Sequence, residues 1–120
     1  MTTIKINDII GTSIGVSSED GQKVFEAIFP LLEQEKSVVL SFENMEIVIS
    51  AFLNVAIGQL YGVLDEQRIK QFLSIEEKSI TAEDKYLLKR VVDNAKKYFS
   101  NKETQAAYDQ SWKELGQNEK

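Results

Sequence analysis

The sequence predicts an α/β fold in a single domain of strands packed with helices. Short β-branched runs alternate with longer stretches whose apolar residues recur at three- and four-residue steps. Capping and breaking residues, Gly11, Ser17, Thr81 and Gly116, fall between these runs. Finally, 120 residues of which 42% are hydrophobic suffice for one core and are too few for two independent ones. The expected division is a domain over residues 1–100 and a C-terminal helical extension over 101–120.

Taken in order, Ile4, Ile6, Ile9 and Ile10 mark an opening strand. Gly11 breaks it, and a second extended piece over 12–16 would complete a small hairpin. Ser17 to Asp20 read as a helix start, a serine oxygen meeting free N–H groups and two acids meeting the positive end of the dipole. The helix over 18–34 has Val24, Phe25, Ile28, Phe29, Leu31 and Leu32 on its apolar face. Pro30 lies within it and predicts a kink or an irregular last turn.

Residues 36–42, KSVVLSF, read as a central strand covered on both faces. A loop over 43–48 leads to a buried helix over 50–65, where Ala56, Gly58 and Gly62 are small enough for close packing. Residues 67–75, with Ile69, Phe72, Leu73 and Ile75, read as a further strand. Thr81 followed by Asp84 predicts a second capped helix, carried to about residue 100 by Tyr86, Leu87, Leu88, Val91, Val92, Ala95, Tyr98 and Phe99. A last helical pattern over 104–115 carries Ala107, Tyr108, Trp112 and Leu115. It has two readings, an aromatic face docked on the domain or a partner-binding helix anchored by Trp112.

The formal net charge of −5 repels a nucleic-acid backbone, so no nucleic-acid partner is expected. Lys96, Lys97 and Lys102 read as a solvated helix face. The absence of cysteine and of an N-terminal signal pattern points to a cytoplasmic location. The apolar stretch 47–64 is interrupted by Ser50, Asn54, Gly58, Gln59 and Gly62, so no membrane association is expected.

With no histidine and no cysteine, the Ser-His and Cys-His nucleophile arrangements are excluded. The acidic pairs Glu19-Asp20, Asp65-Glu66, Glu76-Glu77 and Glu83-Asp84 fall at expected helix ends or loops, where solvation and capping account for them. The glycines do not follow a strand as a phosphate loop requires. The expectation is a protein that is not an enzyme, with no catalytic residues, no metal and no cofactor.

Residues 38–62, VVLSFENMEIVISAFLNVAIGQLYG, place a buried strand, a short loop and a helix carrying Phe-Leu-Asn and Ile-Gly-Gln-Leu-Tyr in succession. This segment, with Ser17-Ser18-Glu19-Asp20-Gly21 and its helix, resembles the STAS-like domain family of bacterial proteins, and the likeness extends over about 4–99. The resemblance implies a mixed sheet flanked by helices and kinship with anti-sigma factor antagonists, whose strand-to-helix loop presents a serine phosphorylated by a partner kinase. At that position stands Ser50, preceded by Ile49 where antagonists have an acid and followed by Ala51 where a second hydroxyl is frequent. Ser41 precedes Phe42 where family members tend to have Asp. Ser50 is the phosphorylation candidate, with capping of the following helix as its structural alternative.

The leading expectation is a non-catalytic regulatory module that contacts a protein partner through the strand-to-helix loop. The contact candidates are Glu43, Asn44, Met45, Glu46, Phe52, Asn54 and Trp112. Two alternatives stand beside it, an antagonist-like regulator switched by phosphorylation of Ser50 and a nucleotide- or small-ligand-binding domain or enzyme. Monomer and homodimer are both compatible with the sequence.

Overall fold

A computed structural model describes residues 1–100. The chain opens with strand β1 (Thr2–Lys5) and turns at once into a short helix, α1 (Ile6–Ile10). Ile6, Ile9 and Ile10 stand at helical spacing, and Gly11 closes the turn in the left-handed region at φ 74°, its N–H donating to Asn7 O at 2.8 Å. The expected hairpin is therefore not formed. The next strand, β2 (Ile14–Gly15), pairs instead with β4 (Ile47–Val48), whose strand character was missed within the expected loop.

Helix α2 (Ser18–Glu33) begins as expected, the Ser17 hydroxyl accepting from the Asp20 N–H at 3.0 Å. It buries Val24, Ile28 and Leu32. The helix passes through Pro30 and ends one turn later. Lys36 N–H reaches back to Leu31 O at 2.8 Å and Glu35 N–H to Leu32 O at 3.0 Å, with Glu35 itself at φ 59°. This left-handed closure turns the chain directly into β3 (Val38–Ser41).

β3 is central, as the sequence predicts, in a three-stranded sheet of order β1-β3-β5, where β5 is Leu73–Ile75. Thr2 stands opposite Val38, and Val38 opposite Leu73. Both sheets are parallel throughout. Each strand pair of the larger sheet is joined by a helical crossover, the arrangement a parallel connection requires.

The long buried helix expected over 50–65 is present with an internal change of pitch. It consists of α3 (Ser50–Leu53), a π-helical stretch Asn54–Gly58, and α4 (Leu60–Val63). Phe52, Leu53, Ala56, Ile57 and Leu60 form its buried face. In the π-helical stretch Gln59 N–H bonds Asn54 O at 3.0 Å, and the Gln59 side-chain amide donates to Val55 O at 2.7 Å and to Gln22 Oε1 at 2.8 Å. The carbonyl freed by the wider turn thus acquires a donor.

Residues 67–75 are mostly helix, against the expected strand. Asp65 caps α5 (Glu66–Phe72) by accepting from the Arg68 N–H at 2.8 Å, and Ile69, Phe72 and Leu73 are spaced at three and four residues. Only Leu73–Ile75 forms a strand, β5. After a 3₁₀ turn (Glu77–Ser79), Thr81 Oγ1 accepts from the Asp84 N–H at 3.1 Å and starts α6 (Ala82–Ser100). α6 lays Leu88, Val91 and Ala95 against the π-helical stretch and α3. The pattern over 104–115, with Trp112, lies outside the described residues.

Packing explains some small residues and not others. A Cβ on Gly21 would lie 2.7 Å from Phe52 O, so α2 crosses α3 backbone to backbone. Gly62 faces the Phe99 ring, which a Cβ would meet at 2.6 Å. Gly58, expected to serve close packing, has only ordinary contacts at 3.6 Å and beyond.

Candidate strand-to-helix interaction site

After β3 the chain leaves the sheet at buried Phe42 and turns, Met45 N–H donating to Phe42 O at 3.1 Å with Asn44 at φ 64°. It is then tied to the segment before α2. Ser13 O accepts from the N–H groups of Glu46 at 2.9 Å and Ile47 at 3.2 Å, and Gly15 O accepts from Ile49 N–H at 3.1 Å. The Ser13 hydroxyl donates to Glu46 Oε2 at 3.1 Å. Asn7 Nδ2 donates to Asn44 O at 3.4 Å, and Lys5 pairs with Glu43 at 3.3 Å. Backbone bonds to Ser13 and Gly15 thus anchor the loop, and the side-chain bonds at Glu43, Asn44 and Glu46 add to them.

Several expected contact residues meet here and face solvent. Glu43, Asn44, Glu46, Ser50 and Asn54 are exposed, and Met45 is half-buried with its methyl end against the core. Phe52 is not available to a partner. It is fully buried among the core residues, because the helix directs position 52 inward while positions 50, 51 and 54 point out. Trp112 lies outside the described residues.

The cap position of α3 is held by Ile49 in extended conformation, with Ser50 as the first helical residue. The capping role considered for Ser50 is thus not the one it plays. Among the described residues its hydroxyl has no hydrogen-bond partner, and it is exposed.

Residues the sequence reading passed over complete the surface. In the β2–β4 ribbon Ile14 stands opposite Ile47 and Gly15 opposite Val48. Gly15 and Val48 face the core, where a Cβ on Gly15 would come within 3.2 Å of Met45 and Phe52. The alternate residues face outward, with Val16 40%, Ile47 48% and Ile49 39% exposed and Ile14 half-buried. The β-branched residues at 14, 16, 47 and 49 were the available signal, but two-residue strands fall below the length at which alternation is readable.

Beneath the loop, buried Ser41 donates to Glu76 Oε1 at 2.9 Å and accepts from Glu43 N–H at 3.2 Å. Ser79 Oγ donates to Glu76 O at 2.7 Å and accepts from Phe42 N–H at 2.9 Å. Glu76, expected to be merely solvated, thus pins the segment after β5 to the end of β3.

Beside the π-helical stretch, sharing Asn54 with the exposed contact residues, lies an open cleft of about 690 Å³ bordered also by Glu19, Gln22, Gln59, Asn94 and Tyr98. Phe99 also borders it, its ring edge-on to that of Tyr98 at 4.8 Å between centroids. Further along α4, burial raises the Tyr61 phenol above its ordinary range, while nearby Lys96 opposes that shift. Lys96 bonds Glu66 at 3.1 Å, which raises its own affinity for the proton. Among the described residues no group of three or more acids is close enough to hold a metal ion, and no helix is long and apolar enough to cross a membrane.

Comparison with curated proteins and with solved structures returned no match. Residues 20–79, from the first turn of α2 through β5 to the end of the 3₁₀ turn, match the family model described as a STAS-like domain of unknown function (DUF4325). The match takes in the central strand, the loop and the helix that follows, and the chain belongs to this STAS-like family.

Proposed function

We propose that this STAS-like domain is a non-catalytic, cytoplasmic protein-interaction module whose regulatory contact is the loop over 43–50 with the exposed start of the following helix. The supporting observation is a loop fastened by backbone bonds to Ser13 and Gly15 that nonetheless turns Glu43, Asn44, Glu46, Ile47, Ile49 and Ser50 outward. Rigid exposed residues lose little conformational entropy on association. The overall negative charge favours a protein over a nucleic acid as partner.

Photo-cross-linking in the native cell tests this, with the reactive side chain placed at Asn44 or, as a control, at Tyr86, which is 65% exposed on α6. The expected result is one protein captured at Asn44 and absent at Tyr86. The same proteins at both positions, or none at Asn44, would overturn the reading.

A phosphorylation switch is supported by the exposed Ser50 hydroxyl and the absence of a described partner for it. A phosphate there adds roughly −1.5 to −2 charges beside Ile49. Intact mass of the protein recovered from its own cells, compared with Ser50→Ala, decides: an added phosphate confined to the wild type supports the switch, and an unmodified mass in both removes it. The cleft of about 690 Å³ supports a small-ligand reading. Screening nucleotides and metabolites for a rise in melting temperature tests that alternative.

A further inference from the structure

We infer that the outward face of the β2–β4 ribbon is a preformed docking surface for a protein whose apolar contact is bordered by lysine or arginine. This rests on the loop reading above and names the chemistry of the partner.

The face is built from Ile14, Val16, Ile47 and Ile49, brought together by the parallel register of two segments more than thirty residues apart. Single exposed apolar side chains are ordinary on a protein surface, whereas Val16, Ile47 and Ile49 stand together with half-buried Ile14 on one ribbon face, the contiguous arrangement that interaction sites use. All four are β-branched, so their rotamers are already restricted and little side-chain entropy remains to be lost. The ribbon also sits close on the core, because at Gly15 its inner face lies so near Met45 and Phe52 that a Cβ would come within 3.2 Å of both.

The surrounding charge selects the partner. Residues 12–20 and 43–51, which carry the ribbon and its flanks, hold Glu19, Asp20, Glu43 and Glu46 and no lysine or arginine. Lys5 pairs with Glu43 at 3.3 Å and Lys23 with Asp20 at 3.4 Å. Among the described residues that leaves Glu46, held by the Ser13 hydroxyl, and Glu19, at the head of α2 where it also lines the cleft, without a cation. Two copies of this chain meeting face to face would bring acids against acids, whereas basic side chains around an apolar centre would be attracted. The apolar face is small beside the ~800 Å² that each partner contributes to a standard interface, so the acidic border must share in the contact.

The test uses the isotope-labelled full chain and two synthetic amphipathic peptides with the same leucine positions, one with lysine and one with glutamate on its polar face. The lysine peptide is expected to shift the amide signals of 13–16 and 46–50, and the glutamate peptide to leave them in place. Affinity should fall about tenfold in an Ile47→Ser, Ile49→Ser variant. It should fall about threefold in Glu19→Lys, Glu46→Lys and weaken with added salt. Unchanged melting temperatures establish that these exposed substitutions leave the fold intact.

Equal binding of both peptides, shifts confined to other regions, or no loss in the isoleucine variant would overturn the inference. So would a dimer in light scattering that the isoleucine variant disperses, since the occupant would then be a second copy. If Asn44 still captures a specific protein while the peptide experiment fails, the loop reading stands and the partner chemistry is wrong. If Asn44 captures nothing, the loop reading itself fails.

Discussion

The two parallel sheets use similar residues for opposite purposes. In β1-β3-β5 the central strand is sealed on the face that carries Val38 and Leu40, at 1% and 0% exposure, while Val39 on the other face is half-buried. In the β2–β4 ribbon only the inner face is sealed, and Val16, Ile47 and Ile49 stay in water at 39–48% exposure. The larger sheet is covered by helical crossovers, while the ribbon is a two-residue clip whose outer face no helix covers among the described residues. The same residue types therefore stabilise the fold in one sheet and present a surface in the other, and hydropathy alone does not separate these roles.

Substitution should separate them. Leu40→Ala removes a fully buried side chain from the central strand and is expected to cost about 2–5 kcal/mol in chemical denaturation. A loss under about 1 kcal/mol would mean that this sheet is not the stability centre. Gly15→Ala probes the seat of the ribbon. The new methyl would meet Met45 and Phe52 at 3.2 Å, and we expect about 1–3 kcal/mol of destabilisation with the contact surface displaced. A neutral result would indicate that the ribbon rides loosely on the core.

Alkaline titration probes the helical layer instead. Tyr61 and Lys96 both hold their protons more tightly in the folded chain than their ordinary values of 10.0 and 10.5. The folded state therefore binds more protons than the unfolded one in that range. Stability contributed by these groups is present at lower pH and is lost as pH rises above about 10. Tyr61→Phe should make the decline in melting temperature shallower, and an identical slope in both proteins would assign it elsewhere. Least affected should be Ile47→Ser, within about 0.5 kcal/mol of the wild type, because the side chain removed is already half in water. A cost approaching that of Leu40→Ala would erase the distinction between the two sheets.

What was legible in the sequence follows the same division. The helices over 18–33 and 82–100 were readable because Ser17 and Thr81 announce their starts and their apolar stripes run for several turns. The central strand was readable because Val38, Val39 and Leu40 form a short β-branched and aliphatic run bounded by polar residues. The segment 67–75 was misread because Ile69, Phe72, Leu73 and Ile75 straddle a helix and a strand, although Asp65 carried a capping signal. The turn over 43–46 falls within the expected loop while 47–48 pair as β4, and Phe52 reads from sequence as a contact residue because the phase of a helix depends on what it packs against. Ile14 and Ile47 could not be paired from sequence, since their contact is set by the tertiary fold and each strand is only two residues long.

The register of the strands also constrains how the chain can fold as it is made. Thr2 is partnered by Val38, Val38 by Leu73, and Ile14 by Ile47, so every strand pairing spans more than thirty residues and no hairpin offers a local start. Such non-local pairings incur the entropy of closing a long loop before they return any stabilisation. During synthesis β1 must wait for β3, and β3 remains open on one edge until residue 75 has cleared the ribosome. Only the helices form from local contacts, and the packing of α2 on the helix beginning at Ser50 is as non-local as the strand pairings, Gly21 meeting Phe52 and Gln59 donating to Gln22.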